Sequence, residues 1–222
     1  MAQSKIETIL SFWFGDSFED EFPPRSISDR WYSFHPNLDS FIRKEFLNDI
    51  ENALAGQYDD WSNTPEGRLA LIILLDQFTR HVYRNTSKAF AGDQKALSLV
   101  YQSCHIPMGA NLLVCQKMFY FAPLEHSEKL NDQKLNRNIY ENLVTKLPNN
   151  IISKLEYYLY WFNVHFEVID NFGRFPWRND LLGRKTTKKE MDYLKNSPNF
   201  GQNYKPQNTL FNKFVYTSLY RY

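Results

Sequence analysis

The sequence predicts an all-α protein, and three observations lead to that prediction. Apolar residues recur at intervals of three and four along most of the chain, which is the period of an amphipathic helix. Residues that favour helix ends stand at the borders of these stretches. Before the aromatic end of the chain, no alternating apolar and polar pattern of useful length predicts a strand. Because the connecting loops are short, we expect neighbouring helices to pack as antiparallel pairs.

Each predicted helix is bounded by residues that begin or end helices. Gly15 and Gly56 follow the first two helices, where glycine favours a helix end. Thr64 is a suitable N-cap for the third, and Pro65 fits its first position. The predicted elements, in chain order, are helices over 6–14, 37–55, 65–84, 93–103, 111–121, 123–147, 151–171 and 187–195, with a loop over 16–28 and a short helical turn over 29–34.

Length, charge and hydropathy limit the class of protein. With 222 residues, of which 17% are aromatic, the chain can bury a large core. We expect one domain over residues 1–200, with residues 201–222 as an appendage that fits helix, strand or tail. The net charge of +1 excludes neither a nucleic-acid nor an acidic partner, but it gives no global basic signal, and we expect no nucleic-acid partner. The longest apolar run falls far short of the ~20 residues of a membrane helix, and no signal peptide is evident. We therefore expect a cytoplasmic protein with no membrane partner and leave its oligomeric state open.

The absence of several known motifs argues against several kinds of site. The two cysteines have no zinc-binding spacing, so we expect reduced thiols, no metal and no cofactor. The usual glycine-rich nucleotide-binding motifs and the GxSxG motif of serine hydrolases are absent. A metal-dependent enzyme stays open as a third hypothesis, because Glu125, His126, Glu128 and His165 are suitable ligand types without a diagnostic spacing.

The helix predicted over 65–84 is apolar almost all round, yet it carries four polar residues. At about 100° per residue, Asp76, Gln77, Arg80 and Arg84 fall within one arc of roughly 100°. Buried charges must be paired or hydrogen-bonded. The arc is therefore either a structural network, with Asp76 paired to Arg80, or the wall of a polar cavity.

Two histidines are candidates for acid–base chemistry, because histidine titrates close to neutrality. His126 shares a face of the helix predicted over 123–147 with Gln133, and Glu128 follows it closely. His165 lies on the next helix, among apolar residues. For each histidine, a structural hydrogen bond is the alternative to a catalytic role.

An arginine-rich segment over 172–186 combines two glycines, a proline, three arginines and a lysine. Arginine offers a planar fork of donors for carboxylate or phosphate. Arg174, Arg178 and Arg184 could converge on one anion, with Asn179 orienting one of them. Alternatively, the arginines tie the segment to carboxylates such as Asp76, Asp93 or Glu128.

Five blocks of sequence, in order, resemble the hallmark blocks of the bacterial domain-of-unknown-function family 924. The resemblance covers about residues 5–200. It implies a compact, superhelical bundle similar to tetratricopeptide-repeat proteins, and it implies no established activity. The blocks are FWFG at 12–15, LDQFTRHVYR at 75–84, AFAGDQKAL at 89–97, FYFAPLEHSEKLNDQ at 119–133 and FGRFPWRNDLLGRKTT at 172–187.

The resemblance also implies a set of polar positions, and this chain departs from the family pattern at two places. Trp177 stands where the family usually has a histidine, and Thr79 and His81 stand where it usually reads DQFPRN. If the family uses the loop histidine as an acid or base, this chain either binds without turnover or uses His81 or His126. The implied polar positions are Asp76, Gln77, Arg80, Arg84, Asp93, His126, Ser127, Glu128, Gln133, His165, Arg174, Arg178, Asn179 and Arg184.

Two functions compete. The leading hypothesis is a partly buried pocket for a small anionic ligand, with His126, His165 and Glu128 as candidate catalytic residues. The alternative is a scaffold that binds a peptide or protein partner on a concave face, with the polar residues as struts. The candidate ligand-binding residues are Asp76, Gln77, Arg80, Arg84, Gln133, Arg174, Arg178, Asn179 and Arg184.

Overall fold

A computed structural model of the chain describes residues 2–31, 36–103 and 111–197. Within these ranges all regular structure is helical, and the one extended pairing is an isolated antiparallel bridge between Glu19 and Phe22. The prediction of an all-α protein is therefore confirmed. The predicted appendage over 201–222 lies outside the described residues. No helix in the described part of the chain is long and apolar enough to cross a membrane.

Ten α-helices span the described residues, and a π-helical segment, Ile73–Phe78, continues α4 into α5. Short 3₁₀ turns stand at Asp59–Asn63, Ser87–Phe90 and Pro176–Arg178. The helices are α1 Ala2–Phe14, α2 Arg25–Ser28, α3 Pro36–Leu54, α4 Pro65–Ile72, α5 Thr79–Val82, α6 Asp93–Ser103, α7 Val114–Glu125, α8 Leu130–Val144, α9 Asn149–Phe172 and α10 Lys188–Leu194.

Local residues explain several helix ends, and the predicted start at Thr64 and Pro65 is confirmed. The Thr64 hydroxyl accepts a hydrogen bond from the Gly67 amide at 3.1 Å, as expected of an N-cap before Pro65. Helix α9 ends at Gly173, whose φ of +66° is a left-handed conformation that glycine adopts readily. At α10, the Thr187 hydroxyl and the Glu190 carboxylate each accept from the other residue's backbone amide, which forms a capping box.

Two element predictions are wrong. The loop over 16–28 contains the short helix α2. The helix expected from Pro123 to about Leu147 forms only over α8, Leu130–Val144. Pro123 lies inside α7, and that helix ends at Glu125. One proline removes a single backbone hydrogen bond, and the apolar residues around Pro123 are buried. This burial stabilises α7 across Pro123, so the helix continues for two more residues, to Glu125.

The Gln133 side chain marks the true end of α7. Its Nε2 donates to the backbone carbonyl oxygens of Leu124, Glu125 and Ser127, at 3.3, 2.6 and 2.8 Å. Leu124 and Glu125 are the last two residues of α7, whose carbonyl groups lack the amide four residues on that a continuing helix would supply. Gln133 and His126 therefore do not share a face of one helix, and Gln133 holds the turn from which His126 projects.

Helix α4 and the π segment form the centre of the protein. Every residue from Leu69 to Leu75 is fully buried, and the pair packs against α1, α3, α6 and α7. Gly92 permits the closest of these approaches, since a Cβ atom there would stand 2.1 Å from the Leu75 carbonyl oxygen. The approach places the start of α6 beside the π segment.

A second, smaller apolar cluster supports the arginine-rich segment. It consists of Val168 and Ile169 of α9 together with Phe175 and Trp177, and all four are buried. The large cluster around α4 does not include these residues. The segment is therefore held against α9 by its own aromatic side chains.

Candidate functional site

Asp76 is the most deeply buried charged residue of the predicted set, with no exposed surface. Its carboxylate lies 2.8 Å from His126 Nδ1 and 3.2 Å from Arg80 Nη1, and it accepts from Gln77 Nε2 at 2.5 Å. Burial alone would raise the pKa of Asp76, but Arg80 and His126 lower the pKa below its ordinary value. Asp76 is therefore ionised at neutral pH, and the predicted pairing with Arg80 is confirmed.

Arg84 does not join this group. The π segment turns through less than 100° per residue, and α5 ends at Val82, so the predicted arc of four side chains is wrong. Arg84 Nε and Nη2 donate to the Asp39 carboxylate at 2.6 and 2.9 Å. His81 Nδ1 lies 2.7 Å from the same carboxylate. Arg84 and His81 thus tie α5 to α3, away from Asp76.

Asp93 joins two arginines from distant parts of the chain. It accepts from Arg80 Nη1 and Nη2 at 2.9 and 3.1 Å, and from Arg178 Nη1 at 3.2 Å. Asp93 is the first residue of α6 and follows Gly92 directly. The close approach at Gly92 therefore sets the position of the carboxylate that both arginines share.

Two carboxylate–histidine pairs lie side by side. His126 Nδ1 faces Asp76, and His165 Nδ1 lies 2.9 Å from a Glu125 oxygen and 2.9 Å from the Trp161 carbonyl oxygen. The centroids of the two rings are 5.9 Å apart. Burial alone would raise the pKa of Glu125, but His165 and His126 keep it below its ordinary value. Both histidines therefore have an ionised carboxylate at Nδ1, which favours the same tautomer in each.

Arg178 contacts two aromatic rings. Its guanidinium carbon lies 4.6 Å from the Phe90 ring centroid and 4.7 Å from that of Phe175. Burial lowers the pKa of Arg178, although the Asp93 carboxylate opposes that effect. Only Nη1 donates to a protein acceptor in the described residues, and the buried Nε has no partner among them. Arg178 therefore keeps unused hydrogen-bond donors.

Seven side chains make a closed series of contacts, which we call the site ring. Asp76 pairs with Arg80, and Arg80 pairs with Asp93. From Asp93 the contacts run through Arg178, Phe175, His165 and His126 back to Asp76. His165 joins the series because its ring centroid lies 5.4 Å from that of Phe175. The site ring is His126, Asp76, Arg80, Asp93, Arg178, Phe175 and His165.

Glu128 and Arg184 lie beside the site ring and fix the arginine-rich segment. Arg184 Nη1 and Nη2 donate to the Glu128 carboxylate at 2.6 and 3.0 Å, and Asn179 Oδ1 accepts from Arg184 Nε at 3.0 Å. The Phe175 amide donates to the same carboxylate at 2.8 Å. Glu128 thus positions Phe175, and Asn179 orients an arginine as predicted.

Arg174 pairs with a carboxylate outside the site ring. It donates to both oxygens of Glu190 at 2.6 and 2.9 Å. Arg174, Arg178 and Arg184 therefore bind three different carboxylates, and they do not converge on one point. Of the two readings of the segment, the pairing with carboxylates is the arrangement observed.

The Arg174–Glu190 pair predicts a specific acid sensitivity. The bond from Arg174, opposed by burial, lowers the pKa of Glu190 from 4.5 to about 2. Its stabilisation is therefore complete above the ordinary pKa and is lost as the pH falls from about 4.5 to about 2. We expect Glu190→Gln to be less stable than the wild type at neutral pH, with a difference in thermal midpoint that shrinks across this window. Asp192→Asn removes an exposed pair with Lys195 on the same helix and serves as the control. An equal effect of both substitutions would contradict the prediction.

Sequence reasoning did not assign the aromatic members of the site. Phe90 and Phe175 both contact the Arg178 guanidinium group, and Trp177 stacks on Phe175 with ring centroids 4.8 Å apart. Trp177 also places its ring edge-on to His165 at 5.9 Å. The available signal was the dense run of aromatic residues around Arg178 in the sequence, because guanidinium groups often stack on aromatic rings.

The arrangement of possible metal ligands and the position of surface clefts bear on two hypotheses, a metal-dependent enzyme and a pocket for a small ligand. Across residues 2–31, 36–103 and 111–197, no group of three or more His, Cys, Asp or Glu side chains is arranged to hold a metal ion. A cleft of about 520 Å³ lies between α1 and α2, lined by residues between Ser11 and Arg30. None of its lining residues belongs to the site ring.

Comparison with known proteins agrees with the fold. The solved structure of a protein of unknown function from Agrobacterium tumefaciens is similar to this chain, with 24% identity and a TM-score of 0.74, over 89% of this chain and 100% of that chain. At this identity the likeness shows the fold alone. No curated protein matches the chain. A family described as "Bacterial protein of unknown function (DUF924)" matches residues 9–198. Since this match spans most of the sequence, the chain belongs to the DUF924 family.

Proposed function

We propose that the site ring binds a small anionic ligand and that His126 acts on it as an acid or base. The observation that carries the proposal is the state of Arg178, a buried arginine with unused donors. A buried charge is costly unless it is paired and hydrogen-bonded. Arg178 shares its one carboxylate, Asp93, with Arg80. An anion at the unused donors would complete the hydrogen bonding of Arg178.

The Asp76–His126 pair supports acid–base chemistry. Asp76 fixes Nδ1 of His126, so that Nε2 points away from the buried carboxylate. The described residues place no hydrogen-bond partner on Nε2, and the His126 side chain is 18% exposed. A histidine oriented by a buried carboxylate is a common arrangement for a general base. His165 is the second candidate, beside it.

The other candidate residues have supporting roles in this proposal. Glu128, Asn179 and Arg184 hold the segment that carries Arg178. Gln133 holds the turn that carries His126, and Gln77 orients Asp76. Arg84 and Arg174 lie in separate ion pairs and act as struts. The contacts described above support each of these assignments.

The alternative function is a scaffold similar to tetratricopeptide-repeat proteins. Its support is that most of the predicted arginines are paired, and that α6 packs on α7, α7 on α8, and α8 on α9. Such serial packing is typical of superhelices that bind peptides on a concave face. In both cases we propose one cytoplasmic domain over residues 1–200, with 201–222 as an appendage.

Thermal unfolding against a ligand panel tests the two functions. A ligand at about 100 times its dissociation constant stabilises a protein by about 2.7 kcal/mol. We expect a small carboxylate or phosphate compound to raise the midpoint of the wild type. Arg178→Ala should abolish this shift. Arg137→Ala should retain it, because Arg137 stacks on Phe166, outside the site ring.

The same panel separates binding from catalysis and from scaffolding. His126→Gln should keep the thermal shift and lose any turnover of the ligand. A shift that survives in Arg178→Ala would place the ligand elsewhere and contradict the proposal. If no small molecule shifts the midpoint and a peptide does, the scaffold is the correct function.

A further inference from the structure

An apolar strip lies on the outward side of α9, away from the site ring. Tyr160 of this helix is 61% exposed. The ring of Trp161 lies edge-on to it, with ring centroids 5.3 Å apart, and Val164, one turn further along, is half-buried. Tyr193 of α10 borders the strip: burial raises the pKa of Tyr193 to about 12, and Glu167 and Tyr160 are near enough to contribute to that shift. An exposed apolar surface with a polar rim is typical of an interaction site.

Acidic residues form the rim of this strip. Positions 156, 160, 163, 167 and 170 recur at intervals of four and three, so they share one face of α9, and all five are exposed. Three of them are Glu156, Glu167 and Asp170, and within the described residues none of these forms an ion pair. Lys154, the nearest lysine in the sequence, pairs with Asp20 instead. We call the apolar strip and these three carboxylates the α9 face, and it fits a segment that brings apolar side chains together with positive charge.

The C-terminal end of the chain has this composition. Residues 198–222 lie outside the described part of the chain, and their sequence contains three basic residues and no acidic one. The basic residues are Lys205, Lys213 and Arg221, so their number equals that of the carboxylates on the α9 face. Eight of the last thirteen residues are aliphatic or aromatic, namely Leu210, Phe211, Phe214, Val215, Tyr216, Leu219, Tyr220 and Tyr222.

The described chain ends close to the α9 face. Helix α10 ends at Leu194, and the preceding residue, Tyr193, borders the apolar strip. An extended chain spans up to about 3.4 Å per residue, so the residues from Ser197 to Leu210 can reach up to about 44 Å. Along α9 the distance from Phe172 to Tyr160 is only about 18 Å. The aromatic end of the chain is therefore long enough to reach the whole α9 face, and its covalent attachment gives it a high effective concentration there.

We propose that residues 204–222 bind along the α9 face of the same chain, with their aromatic side chains on the strip around Tyr160 and with Lys213 and Arg221 beside the carboxylates of Glu156 and Glu167. The α9 face contains no member of the site ring, so this inference does not depend on the proposed anion site. Because the charges on the α9 face are exposed, the interaction should weaken as the salt concentration rises.

Photo-cross-linking of the full chain tests the inference. Tyr160→p-benzoylphenylalanine places a photoreactive ring in the strip, and mass spectrometry of the irradiated protein identifies the segment that it joins. We expect cross-links to residues 204–222. The matched control is Phe41→p-benzoylphenylalanine on α3, because Phe41 is also exposed and the charges next to it, Lys44 and Glu45, pair with each other. The control should give no cross-link to the C-terminal residues.

Charge exchange tests the electrostatic part of the inference. Lys213→Glu together with Arg221→Glu should lower the yield of the Tyr160 cross-link by about threefold or more, the effect of losing two exposed ion pairs. Adding Glu156→Lys and Glu167→Lys to the same chain should restore the yield. All four positions are at the surface or in the C-terminal residues, and circular dichroism establishes that the variants are folded.

Each contrary outcome overturns a stated part of the inference. Absence of cross-links from position 160 to residues 204–222, or an equal yield from position 41, would show that these residues do not bind the α9 face. In a mixture of isotope-labelled and unlabelled protein, cross-links that join two different chains would assign the α9 face to a second copy and overturn binding within one chain. A yield that charge reversal leaves unchanged would overturn the pairing of the basic residues with the carboxylates.

Discussion

Gly92→Ala should destabilise the protein by about 3 kcal/mol or more, because it forces two backbone segments apart. The added Cβ atom would stand 2.1 Å from the Leu75 carbonyl oxygen and 2.8 Å from two further Leu75 backbone atoms. Backbone atoms in a buried helix cannot rotate away as a side chain can. The start of α6 must therefore move, and Asp93 moves with it. Urea unfolding followed by circular dichroism measures the loss.

Gly173→Ala is the matched control for Gly92→Ala. Gly173 has a φ of +66°, and an added Cβ would meet no atom within 4 Å. Its substitution therefore costs only the strain of the left-handed conformation, about 1 kcal/mol. If Gly92→Ala costs no more than Gly173→Ala, the close approach of α6 to the π segment does not constrain the fold. Binding of the proposed anionic ligand should also weaken in Gly92→Ala and persist in Gly173→Ala.

Asp76→Ala should cost about 3–5 kcal/mol, the usual range for breaking a buried ion pair from one side. The substitution leaves His126 without the carboxylate at Nδ1 and removes one of the two carboxylates paired with Arg80. It also removes the acceptor of the Gln77 amide. Chemical denaturation of the wild type and the variant measures the difference in free energy of unfolding.

Two further substitutions identify the cause of the stability loss expected for Asp76→Ala. Asp76→Asn keeps the size of the side chain and one acceptor, and it should cost less than Asp76→Ala. Asp39→Ala breaks the more exposed pairs with Arg84 and His81, and it should leave ligand binding intact. A cost below about 1 kcal/mol for Asp76→Ala would mean that the site ring does not depend on its buried carboxylate.

The helices were predictable where local chemistry decides them. Gly15, Gly56 and Thr64-Pro65 act within a few residues, and the helix ends that they mark were found from sequence. The break after α7 was not predictable, because it depends on Gln133, a residue of the next helix that binds the last carbonyl groups of α7. Pro123 is the stronger local signal, and the burial of its neighbours overrides it.

The site was predictable in its residue types and only partly in its pairing. A narrow polar arc on a buried helix identified Asp76 and Arg80, and the density of arginine identified the segment of Arg178. The predicted arc is wrong at Arg84, because nothing in the sequence marks the π segment that changes the helical period. The bridging role of Asp93 and the contact of Phe90 with Arg178 depend on tertiary contacts between distant parts of the chain, which helical periodicity cannot describe.

The small apolar cluster beneath the arginine-rich segment has a consequence for how the native state opens. Proteins open in parts, and the parts with the fewest buried apolar contacts open at the lowest free energy. Val168, Ile169, Phe175 and Trp177 form the small buried cluster that anchors this segment, with Leu130, Phe172, Tyr193 and Leu194 partly buried against it. Asp76, in contrast, belongs to the π segment at the centre of the protein. A sub-global opening of the segment removes Arg178 and Phe175 from the site ring and leaves Asp76, Arg80 and His126 in place. If the site ring binds an anion as we propose, the anion can exchange with solvent at the free energy of that partial opening, below the free energy of global unfolding.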